Sequence, residues 1–165
     1  MRDFDRPFFR NALRLAAMLM VSLAVALGTT SARAQEGKRV ALVIGNNAYS
    51  KLPADKQLKN AINDARAMRD TLRGLSFEVL YSENADRAKL VDMLADLTAR
   101  LSKNDTAFFF FAGHGVSFSG ANYLLPTDIP LPRSSGQSEE NRLADLAIAE
   151  TDLVSRIAKS GARVS

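Results

Sequence analysis

An α/β fold, a three-layer α-β-α sandwich with a mainly parallel sheet, is predicted by three observations. Apolar runs of strand length alternate with stretches of helical periodicity: RVALVIG, then Leu58–Arg73, then SFEVLY, then a stripe from Leu90 to Leu101, then DTAFFFF. Strand, helix, strand, helix, strand is the order that lays parallel strands side by side with helices across both faces. The first and third runs are apolar without alternation, as strands covered on both faces are. Polar and glycine-rich residues follow both of them directly, and such sheets gather ligands beyond the carboxyl ends of their strands.

Each element has its own signal. The first strand, 39–45, ends on Gly45 and runs into NNAYSKLPADKQ, a loop rich in turn formers and containing Pro53. Leu58, Ala61, Ile62, Ala65, Met68 and Leu72 recur at helical spacing, with Gly74 placed to cap that helix. Residues 76–81 read as the second strand. Asn84 is the expected cap of a second helix carrying Leu90, Met93, Leu94, Leu97 and Leu101. Residues 105–111 form the third strand. VSF and NYLL, separated by SGA, suit a hairpin. Residues 126–144, with Pro130, Pro132 and Gly136, read as one long polar loop. Thr151 is placed to cap a third helix, DLVSRIAKS, ended by Gly161. Residues 162–165 read as the start of another strand, so the fold is expected to be truncated after the third helix, with an open sheet edge.

Residues 1–34 stand apart. Arg2, Arg6, Arg10 and Arg14 precede thirteen residues without charge, LAAMLMVSLAVAL, and Ala32-Arg33-Ala34 has the A-x-A form. These are the three parts of a secretory signal peptide, expected to be cleaved after Ala34. As helix the apolar centre rises about 20 Å, short of a bilayer core of about 30 Å; an uncleaved anchor is the alternative. The expected organisation is a signal peptide, 1–34, and one domain, 35–165, exported to the periplasm or beyond, without stable membrane insertion after cleavage.

The chain carries +4, but residues 1–34 hold five Arg and two Asp, leaving 17 basic against 16 acidic residues, or +1. With no basic patch interleaved with aromatics, nucleic-acid binding has no support. There is no cysteine and one histidine. Disulfides and thiolate metal sites are excluded, and a zinc site lacks its usual ligands.

That histidine, His114, stands in FFFFAGHG at the end of the third strand. Gly113 and Gly115 free the backbone on both sides and allow close approach. A histidine holding its ring toward a substrate gains from this, and imidazole moves protons near neutral pH. A general base needs a nucleophile to activate. Ser117 and Ser119 are close in sequence but poorly placed on an extended segment, and no G-x-S-x-G turn occurs.

RVALVIGNNAY, LKNAINDARAMRDTLRGLSFEV, FFFFAGHG and NYLLPTD, in this order, resemble the large-subunit part of caspase-like cysteine peptidases of the C14 group, above all the bacterial metacaspase type. The resemblance spans residues 39–165. It implies that His114 is the histidine of a Cys-His dyad and that the Gly115 N–H serves the oxyanion hole. Asp64 matches an acidic residue of the pocket for a basic side chain, so the implied cleavage follows Arg or Lys in a peptide or protein substrate. For Asp64 a solvated place near a helix start is the plainer alternative. Asn46, Ala112 and Gly113 are implied to bind substrate with Asp64 on the same rim, which Asn47 and Tyr49 help to shape. Where the family often has Cys and Ser, this chain has Ala61 and Ala112. Asp128 matches a recurrent position without an evident role.

The family places its cysteine on a strand end about 50 residues after the histidine, which falls at the final residues of this sequence. A thiolate being the attacking group, the chain as given is expected to be inactive. A non-enzymatic pseudoprotease or peptide-binding module is the alternative. A Rossmann-like nucleotide site is disfavoured, since no G-x-G-x-x-G follows the first strand. No cofactor is implied. Some metacaspases use calcium, for which Glu139, Glu140 and Asp145 are only suggestive. Oligomeric state is not legible.

Overall fold

The computed structural model describes residues 37–164. The expected signal peptide and its cleavage point lie outside the described residues, and among these no helix is long and apolar enough to cross a membrane.

Four parallel strands form the main sheet in the order β2-β1-β3-β7. They are β1 (Arg39–Gly45), β2 (Glu78–Glu83), β3 (Thr106–Ala112) and β7 (Arg163–Val164). β1 is central because Val40 to Ile44 are all fully buried. Their side chains divide with period two: Val40, Leu42 and Ile44 enter one core, Ala41 and Val43 the other. Each Val, Leu or Ile stabilises the fold by about 1.5–3 kcal/mol through burial.

Helix α1 (Ala61–Gly74) covers the Ala41 and Val43 face with Ala65 and Leu72. On the opposite face lie α2 (Arg87–Arg100), with Leu90, Met93, Leu94 and Leu97, and α4 (Glu150–Lys159), with Leu153 and Ile157. The result is the three-layer sandwich expected from the strand-helix alternation.

A second, antiparallel sheet follows β3. The expected hairpin forms from β4 (Gly115–Phe118) and β5 (Ala121–Leu124). Two residues of β6 (Ile148–Ala149) extend it.

Several local expectations are corrected. Gly74 closes α1 without left-handed geometry; Ser76 takes that conformation instead, at φ 63°. Asn84 does not cap α2. Asp86 does, accepting from the Lys89 N–H at 2.8 Å, while Asn84 turns left-handed at φ 49°. The loop at 126–144 contains α3 (Gln137–Leu146), giving four helices among the described residues rather than three. The apolar signal of α3 is thin because it docks few side chains. Thr151 lies inside α4, not at its cap. The final strand forms as expected, with Arg163 and Val164 pairing with Thr106 and Ala107.

Candidate active site

The carboxyl ends of β1 and β3 are tied together. The Asn46 N–H donates to the Ala112 carbonyl at 2.8 Å, continuing the β1–β3 ladder by one residue. The Asn46 side chain is wholly buried and bonded chiefly to the Ala85 backbone. Its Oδ1 accepts from the Ala85 N–H at 2.9 Å and its Nδ2 donates to the Ala85 carbonyl at 3.3 Å. Asn46 therefore supports the rim from beneath. Expected at a substrate pocket, its amide is instead committed here to the buried Ala85 backbone. Asn47 and Asn84 act alike. Asn47 Oδ1 accepts from Ile62 N–H at the start of α1, and Asn84 Oδ1 accepts from the Asn47 and Ala48 N–H groups.

Tyr49 is the buried post under the histidine. Its hydroxyl accepts from the His114 backbone N–H at 2.6 Å, and its ring centroid lies 4.7 Å from the imidazole. Burial raises the Tyr49 pKa more than this hydrogen bond lowers it, keeping the hydroxyl protonated. Gly113 is required here. A Cβ on it would lie 2.7 Å from both the Tyr49 hydroxyl and the Phe111 ring. The space expected to admit a substrate at Gly113 is thus filled by the protein's own aromatics.

The imidazole is fixed from its far side. Nε2 of His114 lies 2.7 Å from the Lys56 carbonyl. A carbonyl only accepts, so Nε2 carries the proton and Nδ1 is left as the basic nitrogen. Gln57 holds that loop in shape. Its Oε1 accepts from the Tyr49 N–H, and its Nε2 donates to the carbonyls of Tyr49 and Leu52. Neither Gln57 nor the Lys56 carbonyl carries a sequence signal, since any residue type supplies a carbonyl.

Gly115 is exposed at the start of β4. The Leu125 N–H donates to the His114 carbonyl at 3.0 Å, so Gly115 and Leu124 face each other as a non-hydrogen-bonded pair. The ladder therefore leaves the Gly115 N–H unused, beside the imidazole.

Asp64 lies in the first turn of α1, exposed. A Cβ on Gly45 would come within 2.7 Å of Ala65 Cβ and 2.8 Å of the Ala61 carbonyl. That close approach sets the start of α1 against the carboxyl end of β1, on the rim expected for Asp64. Ala61 is buried in this contact and does not form an exposed pocket wall.

Asp128 now has a role. Its carboxylate accepts from the Arg87 N–H at the start of α2 at 3.0 Å. Thr127 binds alongside, its N–H donating to the Ala85 carbonyl. PTD thus anchors the chain leaving the hairpin onto the turn that Asn46 holds.

A cavity of about 230 Å³ opens beside His114 and Gly115. Its walls are largely aliphatic, from Leu52, Val116, Leu125, Ile129, Leu131 and Leu143. The acidic residues considered for calcium do not converge. Glu139 is held by Arg142 and the Arg133 N–H, and Glu140 accepts from the Ser119 hydroxyl at 3.4 Å. No group of three or more His, Cys, Asp or Glu placed to hold a metal occurs among the described residues.

Residues 38–145 match the peptidase C14 family, the caspase domain. The chain belongs to this family. Two curated relatives match over 97 residues at 29% identity: the mucosa-associated lymphoid tissue lymphoma translocation protein 1 of Homo sapiens and its homolog of Mus musculus. Each match covers 59% of this chain and 11% of the relative. Among solved structures, protein GSU0716 of Geobacter sulfurreducens aligns with a TM-score of 0.54 at 20% identity, over 77% of this chain and 48% of its own. This likeness shows a shared fold. The caspase domain here therefore spans about a tenth of its curated relatives and about half of that solved chain.

Proposed function

We propose that this caspase domain is the histidine-bearing part of an exported cysteine-type endopeptidase that cleaves after Arg or Lys. The observation that carries the reading is the imidazole of His114, held through Nε2 by the Lys56 carbonyl with Nδ1 free at the carboxyl rim of β3. In this role Nδ1 takes the proton of a thiol, whose sulfur attacks the substrate carbonyl. The Gly115 N–H stabilises the oxyanion, and the imidazolium returns the proton to the departing amine as the C–N bond breaks. Asp64, exposed and with no side-chain hydrogen bond among the described residues, pairs with the guanidinium or ammonium before the scissile bond. The basic start, uncharged centre and A-x-A exit of residues 1–34 support export.

The 165 residues contain no cysteine, so the sulfur is not theirs to supply, and the chain alone is proposed to be inactive. The same fact favours a second reading, a peptide-binding module without catalysis. Both are tested by incubating the purified chain with fluorogenic peptides ending in Arg, Lys or Asp while following binding by NMR. We expect binding of the Arg and Lys peptides, lost in Asp64→Ala, and no hydrolysis. Hydrolysis abolished by His114→Ala would refute the need for a thiolate; equal binding of the Asp peptide would refute the basic specificity.

A further inference from the structure

We propose that the aliphatic cavity beside His114 is a subsite for an apolar side chain on the leaving-group side of the scissile bond; this rests on the histidine role given above. Three observations support it. First, the cavity wall includes His114 and Gly115 themselves, the groups assigned to the departing amine and the oxyanion. A histidine that protonates the departing nitrogen stands beside the residue carrying that nitrogen, so the side chain after the cleaved bond is the one presented to this cavity. Second, none of its lining residues belongs to α1. It is thus distinct from the position of Asp64, and one peptide has two separate places to anchor. Third, at about 230 Å³ it is large enough for a leucine-sized group; a cavity of about 150 Å³ lined by aliphatic residues already takes benzene.

The outer wall is a strap rather than part of the main core. Leu131 is 48% exposed, while Leu143 comes from α3. A single carboxylate clasps this strap. Glu139, 8% exposed, accepts from the Arg133 N–H at 3.0 Å and from the Arg142 guanidinium, which also donates to the Leu131 carbonyl at 3.3 Å. Glu139 is a positioning residue: it sets the wall without touching the occupant.

Leucinamide reproduces the amino-terminal end of the departing product. Titrated into the full chain and followed by methyl NMR, it is expected to shift Val116, Leu131 and Leu143 and to bind about tenfold more tightly than serinamide. Leu131→Ser removes a half-exposed side chain, so the fold survives; it is expected to erase that preference. Glu139→Gln is expected to weaken leucinamide binding while leaving the binding of an Arg-ended peptide unchanged. If leucinamide and serinamide bind equally, or the shifts fall elsewhere, the subsite is overturned. If leucinamide binds as described while no Arg-ended peptide does, the subsite stands and the Asp64 reading falls. If neither binds, both fall.

Discussion

His114 and Asp64 sit on one rim and are built on opposite terms. The histidine is fixed at every point: its backbone N–H by Tyr49, its Nε2 by the Lys56 carbonyl, its preceding residue by a space that only glycine fits. Asp64 is exposed on the first turn of a helix, with no side-chain partner among the described residues. The difference suits the role proposed for each. A base must present one chosen nitrogen in one direction, which takes a preorganised surround. A carboxylate that recognises a solvated cation works best uncommitted, since a prior ion pair would have to be broken first. The histidine end should therefore respond to mutation through stability, and the aspartate end through binding alone.

The sharpest way to break this contrast is beneath the histidine. Asn46→Ala leaves the buried N–H of Ala85 without its partner, while the Ala85 carbonyl keeps the Thr127 N–H, and is expected to cost about 1–3 kcal/mol, read by urea denaturation. A loss below 1 kcal/mol, on the order of a surface change, would mean that the rim is not held from below.

Gly113→Ala comes next. Its Cβ would sit 2.7 Å from the Tyr49 hydroxyl, and such overpacking costs about 1–3 kcal/mol. The same experiment should show the Tyr49 and His114 ring signals shifting together. An unperturbed His114 spectrum would show that the tyrosine does not seat the ring.

A smaller effect concerns the strap over the cavity. Arg142, and secondly the Arg133 N–H, hold the Glu139 carboxyl at about 2, below its ordinary 4.5. With the folded value depressed, its contribution is fully present above pH 4.5, declines below it, and is lost as pH falls through about 2. Methyl signals of Leu143 followed over that window should report loosening of α3 in the native chain and no such step in Glu139→Gln.

The smallest stability effect belongs to the other end of the rim. Asp64→Ala should change stability by no more than about 0.5 kcal/mol, while affinity for Arg-ended peptides falls about tenfold. A large loss of stability would place Asp64 among the structural residues.

Much of the architecture was legible because burial leaves a periodic trace. β1, β3 and the stripes of α1 and α2 were readable from apolar spacing. α3 was not, since it presents few apolar residues and its seating depends on Glu139 accepting from the Arg133 N–H and Arg142 donating to the Leu131 carbonyl. At the site, His114 and its glycines could be singled out by residue type. That the Asn46 amide is committed to the Ala85 backbone was not legible, because an asparagine after a strand looks the same whether it faces water or a buried backbone.

By itself the sequence determined the alternation that makes a parallel sheet, the single imidazole at the end of β3 and the absence of any thiol. Only the tertiary structure decided which nitrogen of that imidazole is free, which rim residues are buried supports and where an apolar cavity opens. The reason is physical: hydrophobic periodicity is a local property written along the chain, whereas a tautomer and a cavity depend on atoms far apart in sequence, such as the Lys56 carbonyl and His114, being brought within hydrogen-bonding or packing distance.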